Sequence, residues 1–130
     1  MNNKYSVEQL IKNEIKKRGA ICFGLIDSEG ITEREATQMA EEADKAGVAA
    51  ILVGGSTAMD QIELDKIVKA IKNVVSKPII LFPSNVTGVV PSADAILFSS
   101  LLNSENTYFI TEAQALGALL VRKYKLEAIP

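Results

Sequence analysis

The apolar run Ala49–Val53, closed by Gly54, Gly55, Ser56 and Thr57, constrains this chain more than any other stretch. An unbroken aliphatic run of that length, ended by turn residues, is the signature of a strand buried on both faces. Such strands belong to parallel sheets covered by helices. The pattern recurs at Ala20–Ile26, Ile79–Phe82 and Ala95–Phe98, so these segments are predicted as strands too. Amphipathic stretches stand between most of them. Thr32 and Glu35 form a capping box before a stripe of Ala36, Met39, Ala40, Ala43 and Ala46. Asp60 and Glu63 open a helix with Leu64, Ile67, Val68, Ile71 and Val75 on one face, ended at Lys77-Pro78.

Two segments depart from simple alternation. A helix capped by Ser6 and Gln9, with Val7, Leu10, Ile11 and Ile15 on one face, precedes the first strand and is expected to cover one end of the sheet. Lys16, Lys17 and Arg18 suit its negative end, and Gly19 can stop it. Between Asn85 and Asp94 there is no room for a crossover helix, and Gly88 and Pro91 disfavour one. A final helix over about Thr107–Tyr124 buries Ile110, Ala113, Gly117, Leu120, Val121 and Tyr124, and L-E-A-I-P then opens a fifth strand. The expected fold class is α/β: one domain over 1–130, with four parallel strands neighbouring in chain order through right-handed crossovers. Four strands cannot close a barrel, and an open edge must pair with something.

The chemistry collects at strand ends. Gly54 and Gly55 allow a tight turn and close ligand approach, and Ser56 and Thr57 add hydroxyls near a helix N-terminus, where an anion is favoured. A phosphate or diphosphate would fit there, and a plain strand-to-helix turn is the alternative that the residues alone leave open. G-G-S-T has neither the lysine nor the spacing of a P-loop. Asp27 ends the first strand and would share the same rim, because α/β proteins place ligands at the carboxyl ends of parallel strands. Asp94 falls at the opposite end of its strand and reads as structural.

Absences narrow the chemistry. The chain has no histidine and a single cysteine, Cys22, so imidazole-based catalysis, internal disulfides and cysteine zinc sites are excluded. A metal would be held by oxygen, which points to magnesium or a similar hard cation. A net charge of −2 and 5% aromatic residues argue against a nucleic-acid partner. The opening M-N-N-K-Y-S lacks the apolar core of a signal peptide and no apolar run approaches ~20 residues, so a cytoplasmic protein without a transmembrane segment is expected.

Three segments together carry a resemblance. V-G-G-S-T (53–57), I-L-F-P-S-N (80–85) and A-D-A-I-L-F-S-S-L-L-N-S (93–104) are similar to the geranylgeranylglyceryl phosphate synthases and their heptaprenyl relatives, with L-I-D and E-A-I-P in matching order. The resemblance implies the N-terminal half of a TIM barrel and a prenyltransferase of ether-lipid synthesis. That enzyme joins the hydroxyl of sn-glycerol 1-phosphate to a geranylgeranyl group and expels diphosphate, with magnesium as cofactor. It implies that Asp27 and Ser56 hold the magnesium, while the turn of Gly54, Gly55 and Thr57 holds diphosphate. The sequence departs from the family after Asp27, where Ser28-Glu29-Gly30 replaces P-D-K or P-N-K, and at Ser99, where a bulkier apolar residue is common. Members are about twice as long, and the later strands of such a barrel carry the usual phosphate site. The chain is therefore expected to be truncated at the start of the fifth strand, to bind without turning over, and to form a homo-oligomer. The alternative is a non-catalytic phosphate-binding half-barrel that self-associates. A receiver-like domain is set aside, because Phe82, Pro83, Ser84 and Asn85 stand where its phosphoryl-accepting aspartate belongs.

Overall fold

The computed structural model describes residues 6–55 and 60–130. Helix α1 (Val7–Arg18) leads into β1 (Phe23–Asp27), α2 (Glu33–Lys45), β2 (Ala50–Gly55), α3 (Gln61–Val74) and β3 (Ile79–Pro83). A 3-10 turn at Val86–Gly88 replaces a crossover helix before β4 (Ala95–Leu97). A π-helical turn, Tyr108–Glu112, then opens α4 (Ala113–Tyr124), and β5 (Glu127–Ile129) follows. The strands form one parallel sheet in the order β1-β2-β3-β4-β5. The parallel α/β expectation and the strand order are borne out.

The strand count is corrected from four to five. Three residues are too few to define a strand by pattern, but Glu127, Ala128 and Ile129 pair with Ala95, Ile96 and Leu97. The Glu127 amide also donates to the Asp94 carbonyl at 3.2 Å. β1 starts later than expected, at Phe23, and runs on to Asp27.

Alternation along each strand sorts the core into two layers. On the helix side Ile26, Ile51, Val53, Ile79, Leu81 and Ile96 meet α2 and α3. The α3 stripe is buried as its spacing predicts, with Val68 and Ile71 fully enclosed. Ala36 and Ala40 of α2 are likewise enclosed, and small residues bring this helix close: a Cβ on Gly24 would lie 3.0 Å from the Ala43 Cβ. Met39 and Ile15, assigned by spacing to buried faces, are exposed instead. α2 contacts the sheet through its alanines alone, and α1 buries only its first turn, so the outer flanks of both stripes stay in solvent.

On the other side Ala50, Ile80 and Ala95 form a smaller cluster with Val7 at the amino ends of the strands. Helix α1 thus covers the expected end of the sheet. Its anchor comes from β5, where the Glu127 carboxylate accepts the Val7 amide at 2.6 Å and the Glu8 amide at 2.9 Å. A carboxylate on the orphan amides of a helix N-terminus satisfies both their hydrogen bonds and the dipole. Glu127→Ala is expected to destabilise the chain by about 2 kcal/mol, as charge-assisted hydrogen bonds of this kind are worth. Urea denaturation measures it, and an unchanged midpoint would show that α1 is held by Val7 packing alone.

Asp94 is structural, as expected. It accepts the Ile79 amide at 2.9 Å and pairs with Lys72 at 2.6 Å, tying the start of β3 to β4 and α3. Nearby, burial pushes the Asp65 carboxyl up, but hydrogen bonds from Lys69 and Ser92 outweigh it and hold the group below its usual range. Among the described residues no helix is long and apolar enough to cross a membrane.

Candidate functional site at the carboxyl ends of the strands

Asp27, Gly54 and Phe82 stand side by side in the register, one from each of β1, β2 and β3. They are on the face away from α2 and α3, at the last paired level of β1 and one residue before the last pair of β2 and β3. Two neighbours organise this rim. The first is Ser28, the one buried polar residue of the described chain, only 1% exposed. Both its amide and its hydroxyl donate to the Gly54 carbonyl at 2.7 Å. Gly54 and Gly55 are paired in β2 and do not form the tight turn that the sequence led one to expect. The two hydrogen bonds tie the end of β1 to Gly54 and leave the Asp27 side chain outside, exposed. Its Oδ1 accepts the Glu29 amide at 3.0 Å, a local turn that orients the carboxylate.

The second neighbour is the backbone of β3. A Cβ on Gly54 would lie 2.7 Å from the Phe82 carbonyl oxygen, so only glycine fits. A Cβ on Gly55 would fall 3.2 Å from the Ser28 hydroxyl and 3.7 Å from Asp27 Oδ1. The two glycines therefore serve different ends: Gly54 permits strand pairing, and Gly55 keeps open the space beside the carboxylate.

That space is a recess of about 250 Å³ lined by Leu25, Asp27, Gly54, Gly55, Phe82, Pro83 and Ser84. It adjoins a larger cleft of about 540 Å³ between the loop after β3, the end of β4 and α4, whose walls include Phe82, Val89, Leu97, Phe98, Phe109 and Gly117. Phe82, Pro83 and Ser84 line both. A smaller recess edged by one carboxylate, Asp27, thus opens onto an apolar trough.

Asp27, Gly54 and Gly55 are accordingly at one rim. Ser56 and Thr57, assigned with them, lie outside the described residues. Among the described residues no three His, Cys, Asp or Glu side chains gather as a metal cluster. One exposed carboxylate is nonetheless a donor set that suits magnesium, which is commonly held by one or two carboxylates with waters and substrate phosphates completing the shell. Sequence reasoning missed Ser28 as a tie and Gln114 in the cleft wall. Nothing local marks either, since a serine after a strand and a glutamine in a helix carry no pattern of their own.

The PcrB family model matches residues 13–130. The chain is 59% identical over 124 residues to the geranylgeranylglyceryl phosphate synthase of Nitrosopumilus maritimus (strain SCM1), covering 95% of this chain and 50% of that one. It is 58% identical over 125 residues to the enzyme of the same name from Cenarchaeum symbiosum (strain A), covering 96% and 51%. The crystal structure of (S)-3-O-geranylgeranylglyceryl phosphate synthase from Thermoplasma acidophilum, in complex with its substrate sn-glycerol-1-phosphate, superposes with a TM-score of 0.86 at 34% identity, over 95% of this chain and 49% of that one. The chain thus spans about half the length of the curated relatives it matches.

Proposed function

The chain belongs to the PcrB family, and from that premise we propose that it carries the diphosphate half of a prenyltransferase site of ether-lipid synthesis. In the proposed reaction the hydroxyl oxygen of sn-glycerol 1-phosphate bonds to the first carbon of a geranylgeranyl group as the bond from that carbon to diphosphate breaks, and the hydroxyl proton leaves with the released diphosphate. The observation that carries this reading is the continuity of the Asp27 recess with the apolar cleft through Phe82, Pro83 and Ser84. A prenyl diphosphate has a matching two-part character, a multiply charged head that a metal on Asp27 would meet and a long apolar tail.

The residues divide the work. The cleft would take the tail and exclude water from it. The two glycines at the end of β2 would let the head approach the backbone, and the Glu29 amide keeps the Asp27 carboxylate aimed. Asp27, with Ser56, would hold magnesium, which when bound supplies positive charge against the leaving diphosphate. Calorimetric titration with geranylgeranyl diphosphate in magnesium buffer tests the proposal: saturable binding is expected, and its absence overturns the reading.

A second reading has its own observation. Leu25 is 56% exposed and Phe82 46% exposed on the face away from α2 and α3. An apolar face of this kind favours association. In isolation the chain is expected to form a dimer or larger oligomer, and light scattering that reports a 14.0 kDa monomer at high concentration would refute this.

A further inference from the structure

The wall of the apolar cleft contains one polar side chain that packing does not explain. Gln114, in the first turn of α4, lines the cleft. Its Nε2 donates to the Ser99 carbonyl at 2.8 Å and to the Phe109 carbonyl at 3.1 Å. The two carbonyls belong to different segments, the loop leaving β4 and the π-helical turn. The Phe109 carbonyl also accepts the Leu101 amide at 3.0 Å. It is available because the π turn sends the Ala113 amide to the Tyr108 carbonyl, five residues back, in place of that of Phe109.

The amide orientation follows from chemistry. Reversing it would set Oε1 against two carbonyl oxygens, neither able to donate. In the orientation that remains, Oε1 is buried with no partner among the described residues. An orphaned buried acceptor is unfavourable, and an apolar side chain of the same length would avoid it. A glutamine here is therefore accounted for by the tie it makes, and by little else.

We propose that Gln114 is a positioning residue whose side-chain amide sets the bore of the apolar cleft, and so selects the length of prenyl chain accepted. The proposal rests on reading the cleft as the prenyl site. The tie fixes the spacing between the Ser99–Leu101 loop and the π turn, the two segments that bring Leu101 and Phe109 to the cleft wall.

Gln114→Met keeps length and bulk without donors, and Gln114→Ala removes both. Affinities for farnesyl, geranylgeranyl and heptaprenyl diphosphate are measured for each, after a thermal melt confirms folding. The heptaprenyl-to-geranylgeranyl affinity ratio is expected to rise about tenfold in both variants, the order of one lost hydrogen bond. Amide exchange at Leu101 is expected to quicken in both. A methionine variant with the wild-type ratio overturns the proposal, because bulk rather than the amide would then set the bore. Unchanged exchange at Leu101 overturns it as well. If wild type binds no diphosphate, the prenyltransferase reading fails by itself, and the ratio is then taken with the corresponding polyprenyl alcohols. Variants matching wild type with the alcohols, or no binding of any alcohol, overturn the role of Gln114.

Discussion

Gly54→Ala is expected to destabilise the chain by about 3 kcal/mol, the upper range for forcing an extra methyl into packed structure. The added Cβ would meet the Phe82 carbonyl oxygen at 2.7 Å, nearer than carbon and oxygen atoms tolerate. Relief by local movement is blocked on both sides. Gly54 pairs with Phe82 in β3 and with Asp27 in β1, and its own carbonyl accepts both Ser28 donors. Shifting β2 away from β3 would thus disturb the candidate site as well as the sheet. Gly117→Ala is the control, since its Cβ would rest 3.8 Å from the Phe98 ring, an ordinary contact. There the gain in helix propensity, up to about 1 kcal/mol, should leave the chain as stable as wild type or slightly more so. Urea midpoints for the two variants, followed by circular dichroism, decide the matter. A Gly54→Ala midpoint equal to wild type would mean that β2 and β3 are less tightly paired than the register implies.

Asp27→Ala is expected to weaken magnesium-dependent binding of a polyprenyl diphosphate by about 100-fold or more. Losing a group that merely orients a metal ligand already costs about 10–100-fold, and a direct carboxylate ligand should exceed that. Among the described residues Asp27 is also the only carboxylate lining the recess. Ser56→Ala should weaken binding less, because a hydroxyl supplies no net charge. Gly55→Ala should fall between, since its Cβ would stand 3.7 Å from Asp27 Oδ1 and narrow the space beside it. Titration with and without magnesium checks each variant. Equal wild-type affinity in both buffers would remove the metal from the proposal, and an Asp27→Ala chain that binds normally would remove Asp27.

Much of this architecture was legible in the chain itself. The aliphatic runs of β2 and β3 announce strands, although burial on both faces stops short of Phe82, and Leu64, Ile67, Val68 and Ile71 announce the buried side of α3. Such patterns are carried by neighbours in sequence, so each window contains what is needed to read it. The short link between Asn85 and Asp94 was legible for the same reason, because Gly88 and Pro91 act locally. Met39 and Ile15 mark the limit. Spacing places a residue on a side of a helix, but how wide a stripe is buried depends on the surface it meets.

The sequence by itself determined the α/β class, the order of the strands and the rim where Asp27 meets Gly54, because each follows from periodicity and strand-end chemistry within a few residues. The tight turn expected at Gly54 and Gly55 gave way to pairing in β2. Tertiary structure alone decided that Glu127 anchors the amides of Val7 and Glu8, that Ser28 is sealed against Gly54, that three residues suffice for β5, and that Gln114 ties the cleft wall. Most of these join groups far apart in the chain, up to 120 residues for Val7 and Glu127. A hydrogen-bonding group declares its need for a partner in the sequence, but which distant group meets that need is settled only when the backbone brings the two together.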